Sequence, residues 1–361
     1  MQTIAPVTSA DVTARVKTAA LALGFDLVGV ARAAPVADAP RLAEWLARGH
    51  HGTMGWMAER AELRGDPRAL LPGCRSVLCV ALTYYRPADE SPQPAGTAVA
   101  RYAWGQDYHQ VLRDKLTKLL DQLRELAPGA EGRIATDSAP VMEKYWAERA
   151  GLGWRGKNTN VINTRRGSFF FLGEILTTAE LVADPPAADH CGTCTRCLEA
   201  CPTGALVEPY LLDSRRCIAY WTIEQRGELA PEQEVAMGEW LFGCDICQDV
   251  CPWNRDPPLA TEARCAPQAD AWPDEIDGLL ALSPAGFRAR FAETAVERTR
   301  RRGFVRNAAI VAGNTGRGSA DALAAAMNDA DPVVSGAAGR ALARRAILHP
   351  CGTPRLNVSP C

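Results

Sequence analysis

The sequence predicts three parts in chain order. These are a mixed domain of the α+β or α/β class over residues 1–180, a two-cluster ferredoxin-type module over residues 181–256, and a helical domain over residues 275–349. Three observations predict this order. Strand-like and helix-period apolar segments alternate in the first half, eight cysteines cluster between residues 191 and 251, and the last quarter is rich in Ala and Arg at helical spacing.

The composition narrows the class of protein. The 361 residues carry a formal net charge of −2, which excludes a globally basic nucleic-acid surface but allows a local basic patch. No apolar run approaches the roughly 18 residues that a membrane helix needs, and the first residues lack the apolar core of a signal peptide. We therefore expect a cytoplasmic monomer with no membrane partner.

The first half of the mixed domain contains clear element signals. Thr8, followed by Asp11, predicts a capped helix that runs to Gly24, and residues 26–32 form a strand-like segment. A short helix near residues 42–46 precedes a second strand over residues 76–85. The apolar spacing of residues 106–126 then predicts a long amphipathic helix whose apolar side is core.

The second half of this domain leads to the cysteines. Residues 132–137 read as a strand, and Pro140 suits the first position of a helix that ends at Ala150. Residues 160–164 and 168–177 predict a hairpin about the intervening Arg-Arg-Gly turn.

Gly151, Gly153 and Gly156 match the G-x-G-x-x-G pattern, and residues 151–157 match most of a phosphate-binding loop. A dinucleotide site would follow a strand and open a helix, whereas these glycines end a helix. A phosphate-binding loop would need Ser or Thr after Lys157, where Asn158 stands. We interpret the glycines as a helix C-cap and as room for the close approach of a bulky cofactor.

The cysteine spacing is the most specific signal. The first motif is C-x2-C-x2-C-x3-C-P, and the second repeats it without its first cysteine, for which Cys217 is the natural replacement. Because the x3-C-P cysteine points to the other cluster, two 4Fe-4S clusters are predicted. The first would use Cys191, Cys194, Cys197 and Cys251, and the second Cys201, Cys217, Cys244 and Cys247.

Structural zinc and a disulfide framework are the alternative interpretations of these cysteines. Zinc sites normally use four ligands without the x3-C-P tail, so we favour the clusters. The remaining cysteines lack such spacing and are interpreted as core or tail thiols: Cys74, Cys79, Cys265, Cys351 and Cys361.

Asp137 is the candidate catalytic residue of the first domain. It follows a strand and precedes a Pro-started helix, so it could act as a general acid if an apolar pocket raised its pKa. A helix cap is the alternative role for an aspartate at this boundary. Upstream lies the polar and aromatic segment RYAWGQDYHQ. One interpretation is structural: Asp107 caps the long helix and the aromatic side chains pack beneath it.

Several segments together resemble the epoxyqueuosine reductase family. They are WMAER, RYAWGQDYH, TDSAPVMEKYWAERAGLGWRGKNTN, GSFFFLGEILT, GFVRNAAIVAGN, and the two cysteine motifs with CIAYWTIEQRG between them. The resemblance covers nearly the whole chain. It implies that cobalamin carries out a two-electron reduction of epoxyqueuosine to queuosine at the wobble position of tRNA. The electrons would come from an external low-potential donor through the two clusters.

The resemblance also implies a fold and roles for residues. The first domain would bind cobalamin and be related to reductive dehalogenases, and the C-terminal domain would be a HEAT-like helical repeat. The lower-ligand signature D-x-H-x-x-G is absent, so cobalamin would bind without that histidine. Asp137 matches the proton donor of the family. The implied cobalamin contacts are Arg60, Arg101, Asp137, Val161, Leu172, Ala219, Cys244 and Asp245.

Contacts to the tRNA are expected in two places. The resemblance implies Glu224, Gln225 and Arg226, which would face the anticodon. The arginine run at the start of the helical domain either grips phosphates or forms a solvated helix face, and from it we expect contacts by Arg301, Arg302 and Arg306.

A corrinoid reductive dehalogenase and a plain electron-transfer protein are the alternative functions. The first would bring a twin-arginine leader and would have no reason for arginine-rich helices. The second would not need about 180 residues ahead of the clusters.

Overall fold

The computed structural model describes residues 8–348. Cys351 and Cys361, interpreted above as tail thiols, and residue 349 of the predicted helical domain lie outside the described residues. In the first 180 residues the helices are α1 (Ser9–Ala22), α2 (Ala39–Ala47), α3 (Gly55–Glu59), α4 (Ala61–Arg64), α5 (Pro67–Leu70), α6 (Tyr108–Leu126) and α7 (Glu143–Arg149). The strands are β1 (Leu27–Arg32), β2 (Ser76–Thr83), β3 (Ala98–Val99), β4 (Gly132–Ala135), β5 (Trp154–Arg155), β6 (Val161–Ile162) and β7 (Phe170–Thr177).

Short elements form the cysteine module, and longer helices follow it. The module contains α8 (Arg196–Glu199), β8 (Leu206–Glu208), β9 (Leu211–Leu212), α9 (Ile218–Ile223), α10 (Pro231–Ala236), β10 (Trp240–Phe242) and α11 (Ile246–Asp249). After it come α12 (Ile276–Leu280), α13 (Pro284–Phe291), α14 (Arg300–Thr315), α15 (Ala320–Ala326) and α16 (Pro332–Leu348). Within residues 8–348, no helix is long and apolar enough to cross a membrane.

A four-stranded sheet of order β1-β2-β7-β4 forms the centre of the first domain, and all its pairings are antiparallel. The domain is therefore of the α+β class. Helices α1 and α6 cover one face of the sheet, and α7 covers the other. Because both faces are covered, all eight residues of β2 are buried.

The local helix signals are largely confirmed. Thr8 and Asp11 form the reciprocal capping box of α1, and Asp107 caps α6 by accepting a hydrogen bond from the His109 amide. Gly151 takes a left-handed φ of 77° just after α7, which glycine adopts without strain. Helix α7 begins at Glu143 rather than at Pro140, because residues 136–142 form an irregular loop.

The predicted hairpin over residues 160–177 is wrong. Its turn exists, since Asn163 and Gly167 bridge each other. However, β6 pairs with β5, whereas β7 pairs with β2 and β4. The sheet takes the strongly apolar β7 into its centre, where it buries more apolar surface than a surface hairpin would.

The cysteine module and the following helices share one hydrophobic cluster. It includes Trp221 and Phe242 from the module, and Phe304 and Ile310 from α14. Strand β10 also pairs in parallel with β3 of the first domain, so the module is tied on both sides. The residues after 275 are helical, as expected, whereas their HEAT-like repeat, the domain boundaries and the relation to reductive dehalogenases stay predictions.

Candidate functional site

The eight motif cysteines are all free thiols in the structure. Their electrostatic neighbours divide them into the two predicted sets, which we call the first and second quartets. Burial, and then the nearby thiolates of Cys251, Cys191 and Cys194, together raise the pKa of Cys197 to about 11. The pKa of Cys244 is in turn raised by burial, and then by the nearby thiolates of Cys217 and Cys201. The long-range members Cys251 and Cys217 thus lie with the quartets that the spacing assigned to them.

The four cysteine ligands of a 4Fe-4S cubane lie farther apart than the ligands of a single metal ion. Within the described residues, no three His, Cys, Asp or Glu side chains stand close enough together to hold a single metal ion.

The glycine-rich segment around Trp154 supports the cysteine loops. The Trp154 Nε1–H donates to the Cys191 Sγ at 3.4 Å, and the Lys157 Nζ donates to the carbonyls of Gly192 and Cys194 at 2.7 and 3.0 Å. A Cβ at Gly153 would lie 2.3 Å from the carbonyl oxygen of Ile162. This glycine is required by packing against β6 rather than by the approach of a cofactor.

A cavity of about 860 Å³ opens beside the module; we call it the Asp137 cavity. Its wall includes Asp137, Glu143, Lys144, Trp154 and Gly156. Lys144 lies near both the candidate acid and the cysteine module. The Cys247 thiolate and the Glu143 and Asp137 carboxylates all raise the pKa of Lys144, although burial lowers it overall. The cavity therefore lies between the candidate acid and the cysteine module, to which Trp154 of its wall is bonded through Cys191.

Asp137 projects into this cavity from the loop between β4 and α7. Its φ of 38° is unusual for a residue with a Cβ, which indicates a conformation that the surroundings impose. The Tyr108 hydroxyl donates to the Asp137 Oδ2 at 2.6 Å, and the His109 Nε2 lies 3.1 Å from the same oxygen. The backbone amide of Asp137 donates to the Glu143 carboxylate.

His109 lies between two carboxylates. Its Nδ1 is 2.7 Å from the Asp107 Oδ1, and the two partners outweigh burial and raise the His109 pKa to about 9. The Asp137 side chain is 56% exposed to the open cavity, although protein surrounds it on its other sides. Burial raises the Asp137 pKa, but the hydrogen bonds from His109 and Tyr108 lower it more, and the net shift is downward.

The transferable proton of this pair therefore resides on His109 at neutral pH. A pKa raised by an apolar pocket, the condition under which Asp137 alone would serve as the acid, is not what the structure shows, because His109 and Tyr108 stabilise its ionised form. Sequence reasoning missed both partners as parts of the site. The available signal was the polar and aromatic segment RYAWGQDYHQ, which contains both residues and for which the sequence also allows a packing interpretation.

The residues predicted to contact cobalamin do not all line the Asp137 cavity. Asp137 lines the cavity, whereas the structure pairs Arg101 with Asp245, both through the Arg101 amide at 2.8 Å and through its guanidinium at 3.1 Å. Asp245 is buried, and its pKa is raised to about 6 by burial despite Arg101. The other predicted contacts do not line this cavity in the structure: Arg60, Val161, Leu172, Ala219 and Cys244.

A second cleft, of about 640 Å³, is lined by Glu224, Gln225, Arg226 and Arg298; we call it the TIEQRG cleft. It adjoins the Asp137 cavity, since Trp56 lines both. The Arg298 guanidinium pairs with Glu224 through two hydrogen bonds of 2.9 Å and also lowers the Asp137 pKa. Three of the predicted tRNA contacts thus lie together next to the candidate acid.

The predicted tRNA contacts in the arginine run differ in their exposure. Arg302 is half-exposed and pairs with Asp331. Arg301 is largely covered, pairs with Asp329 and donates to the Leu282 carbonyl. The prediction that Arg306 contacts tRNA is wrong. Its side chain is 0% exposed, and its guanidinium donates to the carbonyls of Trp221, Gln225 and Gly227.

The fold and the site define an iron–sulfur protein with a cofactor-sized cavity next to its cluster module. Comparison with family models agrees, because residues 190–254 match a 4Fe-4S double cluster binding domain. Residues 64–138 match the model described as epoxyqueuosine reductase QueG, DUF1730.

Relatives extend this match over most of the chain. The epoxyqueuosine reductase of Leadbetterella byssophila is 43% identical over 83% of this chain and 98% of its own length. That of Escherichia coli is 40% identical over 83% of this chain and 80% of its own. The chain belongs to the epoxyqueuosine reductase family.

Solved structures agree with this assignment. A crystal structure of epoxyqueuosine reductase with an epoxyqueuosine-modified tRNA-Tyr stem loop matches with a TM-score of 0.86 at 31% identity, over 92% of this chain and 89% of the other. A Bacillus subtilis epoxyqueuosine reductase, whose aspartate catalytic loop is swung out of the active site, matches with a TM-score of 0.84 at 30% identity over the same shares.

Proposed function

We propose that this chain is an epoxyqueuosine reductase, which converts epoxyqueuosine to queuosine in tRNA as the final step of queuosine biosynthesis. The observation that carries the proposal is one cavity at which three features meet. These are the Asp137 carboxylate with its His109 partner, the cysteine module, and the adjoining TIEQRG cleft. Family membership supplies the substrate.

Two 4Fe-4S clusters and cobalamin are the cofactors of this proposal. The two quartets fit two cubanes, since each brings four free thiols together. The Asp137 cavity fits a large cofactor, because its volume lies in the upper part of the range for such sites and Lys144 and Trp154 connect it to the module. When bound, cobalamin supplies the cobalt through which electrons reach the substrate carbon.

The residues of the chain control the proton chemistry. An epoxide oxygen is a poor leaving group until it is protonated, so the reaction needs a positioned acid. The His109 imidazolium donates to the Asp137 carboxylate, which faces the cavity, and the pair can hand one proton to the leaving oxygen. The Tyr108 hydroxyl holds Asp137 in position through its hydrogen bond. The Tyr108 ring is itself held in place because it stacks on Phe171, with ring centroids 4.5 Å apart.

The TIEQRG cleft is the proposed entrance for the modified nucleotide. Arg226 and Arg298 supply positive charge at its wall, and phosphates are bound by such groups with strong salt dependence. Trp56, which is 40% exposed, offers aromatic surface there on which an unstacked base can rest. A low-potential donor outside this chain would reload the clusters.

The test is turnover by anaerobically purified protein that carries about eight irons, four per cubane, and bound cobalamin. Given a reductant and tRNA that contains epoxyqueuosine, it should yield queuosine by mass spectrometry of the nucleosides. D137N should abolish conversion and keep both cofactor spectra, whereas D121N, on the exposed side of α6, should convert normally. Failure of the fully loaded wild-type protein would refute the proposed function.

A further inference from the structure

A buried cation without a carboxylate partner lies in the wall of the Asp137 cavity. Arg64 is the last residue of α4, and it is only 7% exposed. Within residues 8–348 its side chain forms no ion pair, and its one hydrogen bond is long, from Nη1 to the Met57 carbonyl at 3.4 Å. The guanidinium carbon lies 5.7 Å from the centre of the Trp56 ring. Because a buried charge is costly until it is paired, this position favours the binding of an anion.

The other cations of the cavity wall are already satisfied. Arg48 and Arg155 pair with carboxylates, and Arg41 is exposed to water. Lys144 donates to a side-chain amide oxygen at 3.2 Å. Among the described residues that line the cavity, Arg64 is therefore the one buried cation without a polar side-chain partner.

The free donors of Arg64 reach the cavity. Helix α4 packs against α2 and α5, so the backbone that carries the side chain is fixed. A guanidinium has five N–H donors, and the Met57 carbonyl takes one of them. No other nitrogen of Arg64 is a fully buried atom without a partner, so these nitrogens face the open space that the residue lines. Such a fork matches the paired oxygens of a carboxylate or a phosphate group.

The neighbouring charges do not compensate Arg64. Burial, and then the charge of Arg60, lower the Arg64 pKa, whereas Glu143 raises it. Glu143 forms no ion pair with Arg64 in the described part of the chain, and its carboxyl group accepts the hydrogen bond of the Asp137 amide instead. Burial, and then the Asp137 charge, raise the Glu143 pKa to about 8, so Glu143 is mostly neutral at pH 7. The anion must therefore come from a bound molecule.

The cofactor of the proposed function carries one group of this kind. The side chains of the cobalamin corrin are neutral amides, and the phosphodiester in the loop that bears its nucleotide base is the one anionic group at its periphery. A tRNA also carries phosphodiesters, but the proposed entrance for its modified nucleotide is the TIEQRG cleft. That cleft is lined by Arg226 and Arg298 and not by Arg64. The position of Arg64 inside the Asp137 cavity favours the cofactor.

We propose that Arg64 binds the phosphodiester of cobalamin in the Asp137 cavity. The guanidinium donates to the phosphodiester oxygens, and the two opposite charges remove the cost of burying either one alone. Arg64 is not among the contacts that the family resemblance implies, and Arg60, four residues earlier, does not line the cavity. The inference rests on the proposed function, since that proposal supplies the cofactor.

Cobinamide provides the test, because it is the same corrin without the phosphodiester and the nucleotide base. The full-length, cluster-loaded protein is dialysed to equilibrium against cobalamin or cobinamide, and cobalt is measured on both sides of the membrane. R64M should weaken cobalamin binding by about tenfold or more, as the loss of a charge-assisted hydrogen bond predicts, and should leave cobinamide binding unchanged.

Two further variants complete the comparison. The matched control is R68M, which removes a guanidinium that is paired with Asp66 outside the cavity wall, and it should bind both corrinoids as the wild-type protein does. R64K keeps the buried charge but loses the planar fork. It should bind cobalamin with an affinity between those of the wild-type protein and R64M, and it should bind cobinamide normally.

The outcomes separate this inference from the proposed function. If R64M and R64K weaken both corrinoids equally, or weaken neither, Arg64 does not bind the phosphodiester and the inference is refuted while the function stands. If R64M weakens only the binding of an epoxyqueuosine stem loop to the cobalamin-saturated protein, the partner is the tRNA backbone and the inference is again refuted. If the wild-type protein binds neither corrinoid, the cofactor of the proposed function fails and the inference fails with it.

Discussion

At the scale of single residues, the Asp137 carboxylate is defined by its neighbours. Its left-handed φ, the Tyr108 hydroxyl and the His109 imidazole hold it at the cavity wall. In the proposed reaction, the proton that Asp137 passes on is held by His109, because a cation between Asp107 and Asp137 is favoured by both.

H109Q tests this assignment. In the wild-type protein the transferable proton is lost as pH rises through about 9, the raised pKa of His109. Without the cation, the proton can reside only on Asp137, and because the ordinary pKa of an aspartate is about 4, the alkaline fall in single-turnover rate should move to lower pH. Rate–pH profiles of the two proteins measure this shift, and superimposable profiles would contradict the role of His109.

Sequence reasoning found Asp137 but not the state of its proton. The order strand, Asp137, Pro140, helix identified the aspartate, since a carboxylate between two elements is a site or a cap. The partners come from α6, about 30 positions earlier. Such proximity depends on sheet order, which the apolar spacing of one segment does not contain.

At the scale of elements, Trp154 links β5 to the first quartet. The cysteine spacing alone predicts eight ligands, since the spacing of a cluster motif is a local property of the sequence. The N–H···S bond from Trp154 was not predictable, because 36 residues separate it from Cys191.

W154F should lower the midpoint potential of the first cluster. A hydrogen bond to a ligand sulfur stabilises the reduced cluster, so its loss favours the oxidised form. Redox titration followed by electron paramagnetic resonance measures the shift. The matched control is W253F, whose ring meets Trp154 edge-on at 5.3 Å, and an equal shift in both variants would contradict the hydrogen-bond explanation.

Helix α14 illustrates how charge patterning can mislead. Arg306 belongs to a basic run that suggested a phosphate-binding surface, yet it faces the carbonyls at the end of α9. Only the docking of α14 on the module, a tertiary contact, decides that Arg306 lies inside and Arg302 outside.

R306M should therefore destabilise the protein without a specific effect on tRNA binding. It leaves the buried Trp221 carbonyl and two partly buried carbonyls without a donor, and the free energy of unfolding should fall by about 3 kcal/mol or more. Urea unfolding measures the change. R302A, at a side chain 52% exposed, should change the free energy by less than about 0.5 kcal/mol, and equal losses in the two variants would contradict the buried role.

At the scale of the whole molecule, the proposed function places the two quartets and the two cavities on one path. In this proposal a donor outside the chain loads the clusters, the Asp137 cavity holds the reacting centre, and the TIEQRG cleft admits the nucleotide. The sequence predicted the order of the three parts, whereas the contact between cleft and cavity through Trp56 required the fold.

R226Q should weaken tRNA binding in a salt-dependent way. Loss of one phosphate contact should reduce the slope of log affinity against log salt by about one. Binding titrations at several salt concentrations measure the slope. R68Q, which removes a guanidinium already paired with Asp66, is the control, and an unchanged slope in R226Q would argue against a phosphate contact.

The shared core of the module and α14 has a consequence for protein engineering. A two-cluster electron carrier cut from this chain at residue 256 would expose the apolar side of Trp221 and Phe242 to water and lose the donor for three carbonyls. A minimal carrier would have to keep α14 or replace that face with polar residues. In this respect the segment is unlike a free-standing ferredoxin, although its cysteine spacing is the same.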